Sequence, residues 1–285
     1  MPPASLKQEI VPVRAITADQ VDHTYGIILL TVKNQALGSA MDDLAPAVGP
    51  GTVIVPFENG MSHLDRLNER FGRQTVLGGV VKVATTLDER GNVVRLTPWA
   101  SLAIGTQRTA QPVDLAEVAK VLDVEGYDFA VSTDIVTDMW AKWSFIATVG
   151  ALTCLLRGTI GEIVAVPGGP DVALGVLDET VLTAAACGFP VPVADIEATR
   201  AAITANGSGL ASSMYRDLTA SHATEVEPIL GDLVDRAEAR GIDTPVLRLA
   251  VTLLRVYEKR LLNAEQPRSE VRISTVRRIR RLERR

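Results

Sequence analysis

Between Ile27 and Val131 the chain repeats one pattern: a short apolar, β-branched run, a turn, then a longer amphipathic stretch. Ile27–Val32 (IILLTV) is continuously apolar, the pattern of a strand covered on both faces. Gln35–Ala47 reads as an amphipathic helix stopped by Gly49-Pro50-Gly51. Thr52–Val55 is a second strand, Ser62–Phe71 a second helix and Thr75–Ala84 a third strand. Asn92–Thr97 and Ser101–Ile104 read as shorter strands joined by a turn at Pro98. Val113–Leu122 is helical and Tyr127–Val131 is a last strand. Strands and helices alternating at this length predict an open, mostly parallel sheet. Ligands of such sheets sit outside the carboxyl ends of the strands.

From about Ser132 the period changes. Asp134–Leu156 and Val172–Cys187 carry helical patterns, with breaks at Gly188-Phe189-Pro190 and Asn206-Gly207. Glu225–Arg240 opens on the capping box Thr224-Glu225-Val226-Glu227 and ends at Gly241. Thr244-Pro245, a cap followed by proline at the first helical position, starts a last helix that runs to about Leu262. The second half is therefore read as all-helical.

Composition narrows the function classes. Of 285 residues 47% are hydrophobic and 22% charged, which suits a globular protein and argues against disorder. Arg268–Arg285 holds eight Arg and two Glu, a basic tail on a chain whose net charge is −5. Such a tail can bind nucleic acid or membrane phosphates, or can be a solvated terminus resting on the acidic body. The second reading is preferred, because nothing else in the chain supports nucleic-acid binding. Cys154 and Cys187 have no metal-type spacing and sit in apolar surroundings, as buried thiols of a reducing compartment would. His23, His63 and His222 have no spacing of a metal site, so no metal is expected. The N-terminus lacks a signal pattern and no apolar run reaches about 18 residues, so neither export nor a membrane span is expected. A cytoplasmic protein is the resulting expectation.

Lys142 is the most informative polar position. On a helix it shares a face with Ile135, Met139, Ile146 and Val149, which sets one ammonium in an apolar stripe. Desolvation would lower its pKa and suit it to proton transfer, whereas a packed stem with its head in water needs no function. Lys33 and Asn59 follow predicted strands, at the edge where a sheet binds ligands. A strand-terminating charge and an Asn-Gly turn are the plainer accounts. Ser213 and Glu225 stand in the segment Ser212–Glu225; Glu225 would occupy the first turn of a helix, where capping alone could explain it. GxGxxG does not follow the first strand. The nearest pattern, Gly207-Ser208-Gly209, has no preceding strand and reads as a loop entering a helix.

Taken in order, Thr31-Val32-Lys33, Glu58-Asn59-Gly60-Met61, Leu77–Ala84, Trp140-Ala141-Lys142-Trp143, Gly161-Glu162-Ile163, Ser212-Ser213-Met214…Asp217…Glu225 and Gly241-Ile242-Asp243-Thr244-Pro245 resemble the ketopantoate reductase (2-dehydropantoate 2-reductase) family. The similarity covers roughly residues 10–262. It implies hydride transfer from NADPH to a 2-oxo acid, with Lys142 donating the proton. Lys33, Asn59, Ala84 and Glu225 match cofactor-contacting positions, and Asn59 and Ser213 substrate-contacting ones. The implied fold is an N-terminally incomplete Rossmann-type doubly wound sheet (1–131), then a helical substrate and dimerisation domain (132–267) and the basic tail (268–285). A small-molecule 2-oxo acid is the implied partner, and a homodimer the implied assembly.

Two departures from the family pattern stand out. Its opening strand, glycine loop, helix and second strand have no counterpart ahead of Ile27, as in a late start or a non-catalytic paralogue serving as an interaction module. Where pantoate-forming enzymes carry asparagines past the lysine, this chain has Ile146 and Gly150, with Ile160 before Gly161-Glu162. Fewer polar contacts weaken discrimination by hydrogen bonding, so a more apolar 2-oxo acid stands as the alternative to ketopantoate, the default substrate.

Overall fold

A computed structural model describes residues 12–107, 111 and 113–265, so the arginine tail lies outside the described residues. Strands β1 (Ile27–Leu30) and β2 (Val53–Pro56) pair in parallel. A parallel bridge from Ile54 to Val76 then joins β2 to the segment leading into β3 (Gly78–Lys82). Next to β3 comes β6 (Ser101–Gly105), antiparallel, and then β7 (Asp128–Val131), parallel to β6. The parallel pairings are thus interrupted once, at β3–β6.

Side-chain alternation divides the sheet between two cores. Ile54, Val76 and Val80 face a core shared with α1 (Leu37–Leu44), α2 (Ser62–Phe71) and α4 (Ile135–Leu156). Val53, Val55, Leu77 and Ile104 face the opposite way, onto Val118 and Leu122 of α3 (Leu115–Leu122). The expectation that the first strand is covered on both faces fails at Leu29, which is 46% exposed. Among the described residues β1 is an edge strand, so it buries less than β2.

The predicted strand Thr75–Ala84 divides. After Lys82 the chain leaves the sheet, and Thr85–Leu87 (β4) pairs antiparallel with Val93–Arg95 (β5) as a separate hairpin. The predicted helix Gln35–Ala47 likewise divides into a 3-10 turn, α1 and a second 3-10 turn containing Pro46.

The helical half is built around α4. Its 22 residues have the length and hydropathy to cross a membrane, contrary to the reading from apolar runs, but 67% of its apolar stretch is buried inside the protein. Its wrapping includes α6 (Gly169–Ala186) and α10 (Pro245–Glu265). Two shorter helices were not anticipated, α5 (Ile160–Val164) and α7 (Val193–Ile203), whereas the loop at Gly207-Ser208-Gly209 does lead into a helix, α8 (Ser213–Thr219). Both oxygens of Glu179 on α6 cap α10, accepting from the amides of Val246 (3.0 Å) and Leu247 (2.9 Å).

The predicted capping box at Thr224 does not form. The amide and hydroxyl of Thr224 both donate to Glu258 of α10 at 2.7 Å, and Glu227 pairs with Arg255 instead. With its carboxylate engaged elsewhere, Glu227 starts a π-helical turn (Glu227–Gly231) that continues into α9 (Asp232–Glu238). Cys154 is fully buried, whereas Cys187 is only half-buried.

Candidate active site

The first turn of α4 lies directly on β3 and β6 because those strands carry glycine where it crosses. A Cβ on Gly78 would lie 2.6 Å from Cγ2 of Ile135, and one on Gly105 would lie 2.8 Å from Cβ of Ile135. Two turns further on, this close seating brings Lys142 to the carboxyl end of β3. The stripe read from the sequence is present: Ile135, Met139 and Val149 are buried, and Ile146 is half-buried.

Lys142 is half-buried in a cleft of about 730 Å³. Burial lowers its pKa from 10.5 to about 8, opposed by the negative charge of Glu225 and reinforced by the positive charge of Lys82. Phe57, Asn59, Val81, Ala84, Phe145 and Ser213 are among the residues that share this cleft.

The turn after β2 supplies Asn59, and Gly60 fixes that turn. Gly60 has φ +83, and a Cβ there would come within 2.0 Å of the Pro228 carbonyl oxygen, so only glycine lets the turn close on the π-helical turn. Asn59 Nδ2 then donates to Glu225 Oε2 at 3.3 Å. On the far side, Trp143 donates its ring N–H to the Ile229 carbonyl at 2.8 Å, tying α4 to the same turn.

The remaining predicted residues separate. Ala84 lines the cleft between β3 and β4, where its carbonyl accepts from the Leu96 amide at 2.8 Å. Ser213 opens α8 with an exposed side chain at the cleft, and the neighbouring Ser212 caps the helix by accepting from the Tyr215 amide. Glu225 is half-buried and bonded to Asn59, but does not itself line the cleft. Lys33 is exposed outside the cleft lining, 3.9 Å from Asp217.

Of the three positions where asparagine was missed in the sequence, only Ile146 lines the cleft. Gly150 is closed off by Met214, whose Cε would lie 2.8 Å from an added Cβ, and Ile160 is fully buried. The sequence reading passed over Lys82, Trp99 and Arg216, which line the cleft, and Glu58, buried beside it. Only Glu58 carried a signal, as part of a polar pair at a strand's carboxyl end. Among the described residues no group of three or more His, Cys, Asp or Glu side chains could hold a metal ion.

The sequence profile described as "Ketopantoate reductase PanE/ApbA" matches residues 3–108, and "Ketopantoate reductase PanE/ApbA C terminal" matches residues 134–258. A 2-dehydropantoate 2-reductase of Archaeoglobus fulgidus is 31% identical over 209 residues, covering 73% of this chain and 69% of that protein. The chain belongs to the ketopantoate reductase family. It is accordingly an oxidoreductase.

Solved structures agree at the level of the fold. The PanE/ApbA family ketopantoate reductase of Ralstonia eutropha aligns with TM-score 0.74 at 24% identity, over 86% of this chain and 79% of that one. D-mandelate dehydrogenase, in a ternary structure with NADH and anilino(oxo)acetate, aligns with TM-score 0.75 at 19% identity, over 86% and 80%. A Rossmann-type α/β part followed by a helical part is the shared architecture.

Proposed function

We propose that this protein uses NADPH to reduce the carbonyl of a 2-oxo acid, with 2-dehydropantoate as the first substrate to test. The observation that carries the reading is the convergence of Lys142, Asn59 and Ser213 on one cleft at the carboxyl ends of β2 and β3. A cleft of about 730 Å³ lies within the range of small-molecule and cofactor sites. Its edge position is where open α/β sheets take nucleotides. The residues present therefore fit a nicotinamide: Asn59 and Ala84 would hold it near Lys142, with Glu225 and Lys33 further out. When bound, the cofactor supplies hydride to the carbonyl carbon.

The chain's own part is proton supply and orientation. With a pKa of about 8, Lys142 is mostly charged at neutral pH yet close enough to that pH to give up its proton readily. Its ammonium donates to the developing alkoxide and also stabilises that charge. Glu225 keeps Lys142 protonated through its field and holds Asn59 in place. Asn59 turns its amide toward cofactor and substrate, and Ser213 offers a hydroxyl to the substrate.

A second reading within the same chemistry, a more apolar 2-oxo acid, is favoured by Phe145, Ile146 and Val149 on the wall beside Lys142. A homodimer is proposed by analogy with the ketopantoate reductase of Staphylococcus aureus, whose structure is described as dimeric.

The test is NADPH and NADH oxidation by the purified protein against a panel of hydroxylated, aliphatic and aromatic 2-oxo acids. Lys142→Ala should lose turnover while still binding NADPH, as read by nicotinamide fluorescence. Oxidation of no member of the panel, or full turnover in Lys142→Ala, would remove the proposal.

A further inference from the structure

Glu58 is a buried acid for which the reaction described above has no use. It lies in the turn after β2, is 7% exposed, and neither carboxyl oxygen has a hydrogen-bond partner among the described residues. A cavity of about 10 Å³, at the lower limit for one water, is lined by Glu58, Lys142, Met139 and Trp143 among others. Glu58 and Lys142 therefore line the same water-sized space, and Lys142 also lines the open cleft.

The charged groups acting on this pair come from several elements. Arg66 of α2 and Glu225 before the π-helical turn act on Glu58, with opposite signs. Glu225 and Lys82 at the end of β3 act on Lys142, which in turn acts on the buried His63. Burial dominates for Glu58 and raises its pKa from 4.5 to about 7. At neutral pH it therefore holds a proton about half the time, and it is a slightly stronger acid than the Lys142 ammonium.

We propose that Glu58 is a positioning residue for Lys142, its carboxyl returning a proton through one water in the shared cavity after Lys142 has protonated the substrate. The inference rests on the reductase reading above. Lys142 passes its proton to the alkoxide and becomes a neutral amine. The bridging water then donates a proton to that amine and takes the carboxyl proton of Glu58, which leaves an ammonium and a carboxylate. After product leaves, solvent reprotonates Glu58. Proton supply thus arrives through the small cavity while substrate occupies the cleft.

The test pairs Glu58→Gln, of nearly equal shape, with Glu58→Ala, which leaves a hole for a small acid. With saturating NADPH and substrate, Glu58→Gln should lower kcat by about tenfold or more, leaving KM near the wild-type value. Formate should restore part of the kcat of Glu58→Ala but none of that of Lys142→Ala. Independently of turnover, the pH dependence of Lys142 carbamylation by cyanate, read by peptide mass, should move to lower pH in Glu58→Gln, because a nearby carboxylate is gone. Wild-type kcat in Glu58→Gln, or a loss in Glu58→Ala that formate leaves untouched, would overturn the relay. An unchanged carbamylation profile would overturn the coupling even if no 2-oxo acid is reduced, whereas a shifted profile without reduction would count against the reductase reading alone.

Discussion

Asn59 donates its side-chain amide to Glu225 across 3.3 Å, joining the carboxyl end of β2 to the chain just before the π-helical turn, 166 residues further on. That one bond spans the sheet-bearing and helical parts at the point where Lys142 meets the cleft. Glu225 therefore has two effects on the site, one steric through Asn59 and one electrostatic through Lys142.

Glu225→Gln separates the two. A glutamine can still accept from Asn59, but its charge is gone, and that charge raises the pKa of Lys142. The alkaline limb of the turnover profile, set by loss of the Lys142 proton, should move below its wild-type position near pH 8. A limb that stays in place in a pH–rate titration would mean that Glu225 acts only as a partner for Asn59.

Lys142→Met should remove activity and strengthen the fold. The folded pKa of about 8 lies below the ordinary 10.5, so between those values the unfolded chain binds more protons. Stability accordingly rises with pH through that window, and below about pH 8 the buried ammonium costs up to about 3 kcal/mol. Methionine fills a similar volume without the charge. Denaturant unfolding at pH 7 should show the variant to be more stable, while turnover falls by about 10²–10⁴.

His63 and Glu58 should shape the pH range of stability from opposite sides. His63 is fully buried without a hydrogen-bond partner among the described residues, and burial lowers its pKa from 6.5 to about 3. The unfolded chain binds the extra proton in that interval, so stability falls as pH drops, by up to about 5 kcal/mol. Glu58 has a raised pKa, so the folded chain binds the extra proton between 4.5 and about 7, and stability falls as pH rises through that range. His63→Leu should flatten the acid side of a thermal-unfolding profile, and Glu58→Gln the side approaching neutrality. Unchanged profiles in both would mean that other groups control the pH response.

Local periodicity made the main elements legible. Helix α2 begins and ends at Ser62 and Phe71 as predicted, and α4 differs from its predicted span by one residue. What escaped depended on partners distant in sequence. The β3–β6 pairing is antiparallel, a direction that apolar runs do not encode. Thr224 looked like a helix cap until Glu258, 34 residues away, took both of its donors. In the site, Lys142 could be found because a charge interrupts an apolar stripe. Glu58 sat in what read as an Asn-Gly turn, and only the closure of Gly60 against Pro228 shows that this turn is packed.

Ile146 offers the sharpest handle on substrate choice. Of the three apolar replacements noted in the sequence it alone faces the cleft, one turn beyond Lys142, while Gly150 is closed by Met214 and Ile160 is buried. An apolar wall rejects an added hydroxyl only weakly, whereas a side chain that must hydrogen-bond rejects a ligand lacking that group much more strongly. Ile146→Asn should therefore raise kcat/KM for ketopantoate relative to an aliphatic 2-oxo acid of similar size, by about 10–100-fold. Most of that shift should come from lost activity on the apolar substrate, because an unpaired amide then faces a methyl group. Gly150→Asn should instead displace Met214 and lower stability without reordering the substrates. If Ile146→Asn shows the same preference as the wild-type protein, Ile146 does not touch the substrate's side chain, and specificity must come from other cleft residues such as Trp99 and Arg216.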